Sequence, residues 1–172
     1  STLLDMARPT ERVQAVLLGG YYGTWISGET ATHVALDNNE LRGYGASVGC
    51  GAVVVLPESA CGLRESARVM SWMAAESAGQ CGPCVNGLKA IADALALVAV
   101  GRGTADTVAK LHRWAAMVDG RGACRFPDGA VKFLRSALDV FADEVNRHLI
   151  GQSCTETTRV LTIPDVSGLG WK

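Results

Sequence analysis

The segment Glu76-Ser-Ala-Gly-Gln-Cys-Gly-Pro-Cys-Val-Asn-Gly87 organises the rest of the chain. It places Cys81 and Cys84 in a Cys-x-x-Cys spacing, where loop-forming residues give way to a helical pattern. Pro83 suits a first helical turn because its ring fixes φ and it has no N–H to leave unpaired. Thiolates there lie beside free backbone N–H groups and the positive end of the helix dipole. Both favour the deprotonated sulfur that binds a metal or exchanges a disulfide.

The composition indicates a globular protein of one domain or two small ones. The 172 residues are 48% hydrophobic and 19% charged, which supports a proper core and excludes a disordered chain. Sixteen basic and seventeen acidic residues give a net charge of −1. This balance argues against a nucleic-acid surface.

The sequence predicts a cytoplasmic protein with no transmembrane segment. Residues 1–11 lack the basic-then-apolar pattern of a signal peptide. The longest apolar run, residues 94–100, is far too short to span a bilayer. The six cysteines of a cytoplasmic chain point to metal binding or catalysis before structural disulfides.

The first third of the sequence predicts a small, glycine-rich β unit. Three short β-prone runs cover residues 13–18, 32–36 and 52–56. Turn-forming residues end the second run, and Pro57 ends the third. The glycines between the runs lack the spacing of a dinucleotide-binding fingerprint. We therefore expect tight turns of a sheet there.

From about residue 60 the hydrophobic pattern takes a helical period. Four amphipathic stripes cover residues 63–74, 88–98, 108–118 and 131–149. Thr104 is the predicted N-cap of the third helix, and the fourth is predicted to run unbroken from Pro127 to about residue 149. Short glycine loops between such helices favour antiparallel neighbours, so this part predicts a four-helix bundle.

Three of the cysteines are predicted to meet at one end of this bundle. Cys81 and Cys84 lie before the second helix and Cys124 lies before the fourth, and these two helices run parallel in an antiparallel bundle. Three thiolates near helix N-termini suit an iron–sulfur cluster or a zinc ion. Cys154 follows the fourth helix, which at about 33 Å carries the chain away. It could join the others only if the tail folded back.

Three segments together resemble one known family. Residues 76–87 resemble an iron–sulfur motif, and Gly122-Ala-Cys124, followed by an apolar helix ending in Phe141-Ala-Asp-Glu-Val-x-x-His148, resembles a fourth-cysteine segment. Gly19-Gly20-x-x-Gly23, with the residues at 49–55, is similar to a soluble-ligand-binding β-grasp domain. In this order, over about residues 12–150, they resemble the flavin-bearing, NADH-oxidising subunit of respiratory complex I.

Pattern and resemblance together predict an α+β fold. The resemblance implies a β-grasp domain over residues 1–58 and a four-helix iron–sulfur domain over 59–150, and we expect an extended C-terminal tail over 151–172.

The resemblance also implies a 4Fe–4S cluster with Cys81, Cys84 and Cys124 as ligands. The family's first ligand falls at Ala78, which has no sulfur. The cluster then has only three protein thiolates, as a 3Fe–4S cluster would, or another residue is the fourth ligand, or the site is empty. Cys154 is the candidate substitute.

The family's flavin- and NADH-binding part precedes the β-grasp domain, and this chain has nothing in its place. We therefore expect no FMN or NAD site here and no catalysis by the chain alone. The prediction is an electron-transfer component, a subunit or fragment of an NADH-dehydrogenase-like oxidoreductase. Its expected partners are other redox subunits of a hetero-complex, such as a flavoprotein or a ferredoxin-like donor or acceptor, with membrane association only through them.

Two other interpretations stay open. Cys81-Gly-Pro-Cys84 is the tetrapeptide of thioredoxins, which would mean thiol–disulfide exchange; thioredoxins place it after a buried strand, whereas residues 62–77 here are helical in pattern. Alternatively the chain is a structural or interaction module with no metal, or with zinc on the same three cysteines and Cys154 or a histidine.

Four further cysteines and histidines are interpreted as core or solvated residues before ligands. Cys50 and Cys61 belong to the β unit and its exit, where small buried thiols are common. His112 and His148 are interpreted as solvated helix residues.

Overall fold

The computed structural model describes residues 2–154 and 158–163, and within them the protein has the predicted α+β fold. Its sheet has three antiparallel strands in the order β2-β1-β3, which are β1 (Val13–Leu18), β2 (Thr24–Ser27) and β3 (Val53–Pro57). Three short helices belong to the same region: α1 (Leu3–Ala7), α2 (Gly28–Ala31) and α3 (Asn38–Arg42). The longer helices follow the sheet: α4 (Gly62–Ala75), α5 (Lys89–Ala99), α6 (Ala105–Val118), α7 (Phe126–Val140) and α8 (Ala142–Leu149).

Two of the predicted strands are confirmed and one is wrong. The runs at 13–18 and 52–56 correspond to β1 and β3, but residues 32–36 form turns with a single bridge between Ala35 and Thr2. The second strand is β2, which pairs with β1 through a 3₁₀ turn at Gly20–Tyr22. It has only four residues, fewer than the roughly five or six that are usual, and its pattern is too short to stand out between glycines.

The central strand places its side chains into two cores. Because successive side chains of a strand point to opposite faces, Ala15 and Leu17 pack toward the long helices, while Val16 and Leu18 pack toward α1, α2 and α3. The backbone N–H of Trp25 also donates to Ser136 Oγ on α7, at 3.0 Å. The sheet is therefore a middle layer that shares its inner core with the helical part. The domain boundaries at 58 and 150 stay predictions.

The helical pattern predicted the long helices well at their starts. Thr104 caps α6, accepting from the Thr107 N–H at 3.3 Å. Pro83 opens a π-helical turn, Pro83–Leu88, that continues directly into α5. Such turns are often found at functional sites.

The prediction of one unbroken fourth helix is wrong, because the chain bends at Phe141 between α7 and α8. Phe141 leaves helical geometry (φ −102°, ψ 27°) and is 2% exposed. Its ring packs edge-on against Trp25 with centroids 5.2 Å apart and lies beside Gly62. Packing against distant residues accompanies the bend, and no glycine or proline marks it in the sequence.

The C-terminal tail predicted over 151–172 lies partly outside the described residues. Residues 158–163 pack along α4, where Leu161 is buried. No helix in the described part of the chain is long and apolar enough to cross a membrane.

Candidate iron–sulfur site

Cys81 and Cys84 lie at the entrance to the continuous helix formed by Pro83–Leu88 and α5. The carbonyl of Cys81 accepts from the N–H groups of Cys84 (3.1 Å) and Val85 (3.0 Å), which fixes the two cysteines in one helical turn. Cys84 is 6% exposed, and Cys81 is half-buried. The prediction that this pair sits at a helix start is confirmed.

Cys124 lies in the loop that joins α6 to α7, and its side chain is exposed. Asp128 closes this loop. One of its oxygens accepts from the Gly120 N–H at 2.8 Å, and the other pairs with Arg125 Nη1 at 2.9 Å. Arg125 and Gly120 together hold the pKa of the Asp128 carboxyl below its usual range.

The structure brings Cys81, Cys84 and Cys124 together. Hydrogen bonds to the backbone of Ala123 and of Cys84 lower the pKa of the Cys81 thiol. Burial raises the pKa of Cys84 to about 11, with further contributions from Cys81 and Cys124. Of the pair, Cys81 is therefore more readily deprotonated than Cys84, and Ala123 in the loop of Cys124 supplies one of the groups that lower its pKa.

The three sulfurs are neighbours but not a compact set. In the described residues they do not form a group with all ligand atoms within 4.8 Å. One zinc ion with 2.3 Å bonds would hold its sulfurs about 3.8 Å apart. A cluster separates its thiolates further because each binds a different iron. By the chemistry of the donor set, three soft thiolates at a loop-rich helix end fit an iron–sulfur cluster that has one corner without a cysteine. Ala78, at the family's first-ligand position, is exposed.

The β unit contributes Tyr22 to this region, which sequence reasoning missed. Its ring stacks edge-on against Phe126, with centroids 5.3 Å apart, at the start of α7. Burial, followed by the neighbouring Cys124 and Cys84, raises the pKa of Tyr22 to about 12. The phenol therefore keeps its proton and remains a hydrogen-bond donor beside the sulfurs. Only its place between the glycine pair Gly19-Gly20 and Gly23 hinted at a special position.

Cys154 lies elsewhere. Its Sγ is 3.3 Å from His148 Nε2, and His148 Nδ1 is 3.1 Å from the Val98 carbonyl at the far end of α5. The helical rise per residue places Cys84 and Val98 about 20 Å apart along the helix axis. The structure therefore does not bring Cys154 to the other three sulfurs. Its role as fourth cluster ligand stays a prediction, without geometric support.

Of the other predictions for cysteines and histidines, two are confirmed and two are wrong. Cys61 is buried and His112 is exposed, as predicted. His148 is 0% exposed, so its interpretation as a solvated residue is wrong, and Cys50 is exposed and not a core residue. Neighbours far along the chain bury His148, and a helical stripe alone did not reveal them.

More than half of the chain matches a known protein family. Residues 57–148 match the family described as the NADH-ubiquinone oxidoreductase-F iron-sulfur binding region. The chain belongs to this family. The matched range contains Cys81, Cys84 and Cys124 and excludes Cys154. The resemblance predicted from the sequence is confirmed.

Named relatives agree with the assignment. The chain is 30% identical to the second NADH-quinone oxidoreductase F subunit of Rhizobium meliloti, over 85% of this chain and 34% of that protein. It is 30% identical to the corresponding F subunit of Streptomyces coelicolor, over 88% of this chain and 34% of that protein. A further relative is the NADP-reducing hydrogenase subunit HndC of Solidesulfovibrio fructosivorans, at 25% identity over 82% of this chain and 29% of that protein.

The fold has a counterpart in a solved structure. An air-oxidised NAD⁺-reducing [NiFe]-hydrogenase matches with a TM-score of 0.73 and 22% identity, over 93% of this chain and 28% of that chain. At that identity the match shows the shared fold alone. The chain spans about a third of the length of the curated relatives named above.

Proposed function

We propose that this chain carries electrons through an iron–sulfur cluster held by Cys81, Cys84 and Cys124, within an NADH-dehydrogenase-like oxidoreductase. The observation that carries the proposal is the meeting of these three cysteines at one end of α5, inside the range that matches the iron–sulfur binding family. When bound, such a cluster takes up and releases one electron at a time.

The residues of the chain have distinct parts in this proposal. Cys81 ionises more readily than Cys84, because backbone hydrogen bonds lower its pKa. Burial raises the pKa of Cys84 to about 11, so a bound cation favours its ionisation at neutral pH. Cys124 comes from the loop that Asp128 closes, so its position depends on that carboxylate. Tyr22 lies beside Cys124 and Cys84, and its protonated phenol is positioned to donate a hydrogen bond to a sulfur, which would raise the potential of a cluster.

The fourth iron position of the cluster has no assigned protein ligand. With Ala78 at the family's ligand position, a three-iron cluster or a four-iron cluster with an exogenous ligand suits the site. The electron donor and acceptor are proposed to be other redox subunits of a hetero-complex, since relatives of this chain are named as subunits of NADH-quinone oxidoreductases and of a hydrogenase.

The proposal is tested on the chain purified without oxygen. Iron, zinc and acid-labile sulfide are measured per chain, and an EPR spectrum is recorded before and after dithionite reduction. We expect about three to four iron and sulfide per chain. Cys81→Ser and Cys124→Ser should each lose most of both, while Cys50→Ser, which removes an exposed cysteine outside the site, should retain them.

The other interpretations predict different results. Zinc without sulfide, lost in Cys81→Ser, would replace the electron-transfer proposal with a structural module. Absence of iron and sulfide, with a reversible Cys81–Cys84 disulfide, would replace it with thiol–disulfide exchange.

A further inference from the structure

A second group of metal-binding side chains lies at the other end of α5. The side-chain ligand atoms of Cys61, His148 and Cys154 all lie within 4.8 Å of one another. His148 Nε2 is 3.3 Å from Cys154 Sγ and 3.8 Å from Cys61 Sγ. A tetrahedral zinc ion with typical bond lengths would set N···S edges of about 3.6 Å and S···S edges of about 3.8 Å. The three atoms are therefore already near the corners of a zinc site.

The imidazole of His148 has the tautomer that a metal site needs. Its Nδ1 lies 3.1 Å from the Val98 carbonyl, which can only accept, so Nδ1 carries the proton. Nε2 then presents its lone pair to the two sulfurs. The backbone N–H of Cys154 donates to Nε2 at 3.3 Å, which also requires that Nε2 carries no proton. A histidine whose second nitrogen donates to a backbone carbonyl is the usual form of a protein metal ligand.

The carboxylate of Glu144 accepts hydrogen bonds from Cys61 and from the two residues that follow it. Its carboxylate accepts from the N–H groups of Gly62 (3.2 Å) and Leu63 (3.0 Å), and so caps α4 in place of a local side chain. It also accepts from Cys61 Sγ at 3.3 Å and from Gln14 Nε2. Glu144 is 2% exposed and is not in the group of three. It is a positioning residue, because its bonds to the Gly62 and Leu63 N–H groups fix the backbone beside Cys61 and remain when the Cys61 thiol loses its proton.

A carboxylate oxygen of Glu144 lies 3.3 Å from Cys61 Sγ, so negative charge is present beside the proposed ligands. A divalent cation would compensate that charge, and the thiol protons would leave to solvent as it binds. Two soft sulfurs and one imidazole match the preference of zinc, whose Cys₂His sites keep a fourth position open for water or another ligand.

We infer that Cys61, His148 and Cys154 form a zinc site separate from the proposed iron–sulfur site. The ion would join three segments that are distant in sequence: the start of α4, the last turn of α8 and the chain that follows Gly151. The two sites lie at opposite ends of α5, about 20 Å apart along the helix. In this inference Cys154 is a zinc ligand and not a ligand of the iron–sulfur cluster.

The experiment measures zinc and iron separately in the purified full chain. The wild type should hold about one zinc per chain that a weak chelator does not remove. Cys154→Ser, at a half-buried position that tolerates a small polar side chain, should lose most of the zinc and retain the iron. Cys81→Ser should show the reverse. Cys50→Ser is the matched control and should change neither metal.

The ligand set is tested by cobalt. Metal-depleted Cys81→Ser chain, in which the other cysteine group is disabled, titrated with Co²⁺ should give sulfur-to-cobalt charge-transfer bands and tetrahedral d–d bands. Adding Cys154→Ser to this chain should remove most of that intensity. His148→Gln should weaken cobalt binding in the same preparation. Glu144→Gln should lower zinc affinity by about 10–100-fold, the usual effect of removing a supporting partner. Circular dichroism confirms that each variant is folded.

Three results would overturn the inference. They are a wild-type chain that binds neither zinc nor cobalt at stoichiometric amounts, zinc that disappears with Cys81 but not with Cys154, and a Cys61–Cys154 disulfide that persists in strictly reduced preparations. The first and third results leave the iron and sulfide measured at Cys81, Cys84 and Cys124 untouched. The second would place zinc at those cysteines, and the iron and sulfide contents of the same preparation then decide whether the electron-transfer proposal fails as well.

Discussion

The buried carboxylate of Glu65 accepts a 2.7 Å hydrogen bond from the backbone N–H of Leu161, 96 residues along the chain. The Val160 N–H donates a second hydrogen bond at 3.2 Å. Arg68 Nη1 forms an ion pair with the other carboxylate oxygen at 2.8 Å. One side chain of α4 therefore fastens the C-terminal segment to the helical part. Buried carboxylates need such partners because their desolvation is otherwise costly.

Glu65→Ala should release that segment. The buried N–H of Leu161 and the part-buried N–H of Val160 would lose their acceptor, so we expect the free energy of unfolding to fall by about 1–3 kcal/mol in urea titrations. The amides of Val160 and Leu161 should exchange faster with deuterium. Asp93→Asn removes an exposed i,i+4 pair with Lys89 and should cost about 0.5 kcal/mol or less. Equal effects of the two variants would contradict this account of the tail.

Asp128→Asn should loosen the loop of Cys124. The hydrogen bond from Gly120 and the pair with Arg125 depend on the charged carboxylate, so a chelator should remove iron faster from the variant at neutral pH. Asp106→Asn removes a comparable exposed pair, with Lys110, away from the cysteines. It should leave the rate of iron loss unchanged.

The same carboxylate predicts a pH effect. Its pKa is lowered in the folded chain, so its stabilisation is fully present above the ordinary value of about 3.9 and is lost as the pH falls through the lower folded value. Between about pH 6 and about pH 3, the wild type should lose more unfolding free energy than Asp128→Asn. A steeper loss in the variant would contradict this assignment.

Gly62→Ala should disturb the bend between α7 and α8. A Cβ at Gly62 would lie 2.2 Å from a ring carbon of Phe141, and that ring is buried against Trp25. We expect a loss of about 1–3 kcal/mol of stability by thermal or urea unfolding. Gly43→Ala introduces a methyl group at an exposed, helical position with ordinary contacts and should be neutral or slightly stabilising. A neutral Gly62→Ala would show that Phe141 can move freely.

Ala78→Cys should complete the proposed cluster. It restores a thiol at the family's first-ligand position, in an exposed segment with room to adapt. If the proposed site holds an incomplete cluster, iron should rise toward about four per chain, and the loss of iron in air should slow. Ser77→Cys adds a thiol one position earlier and should do neither. An unchanged iron content in Ala78→Cys would mean that the fourth corner is already filled or that the site holds no cluster.

Local patterns predicted much of this protein. The helical stripes, the Thr104 cap and the Pro83 helix start depend on neighbours within one or two turns, so they are readable from sequence. The meeting of Cys81, Cys84 and Cys124 also followed from the pattern, because short loops between amphipathic helices leave few topologies. The strand at 32–36 failed for the opposite reason, since pairing partners and not propensity alone make a strand.

The sequence by itself determined the helix periodicity, the α+β class and the cysteine pair at a helix start, because these follow from residues close in the chain. Only the tertiary structure decided the bend at Phe141 and the group of Cys61, His148 and Cys154. Cys61 and His148 are 87 residues apart, and nothing in the spacing of either predicts the other. Their approach depends on how α4, α5 and α8 pack together, which is the sum of many weak apolar contacts across the whole core.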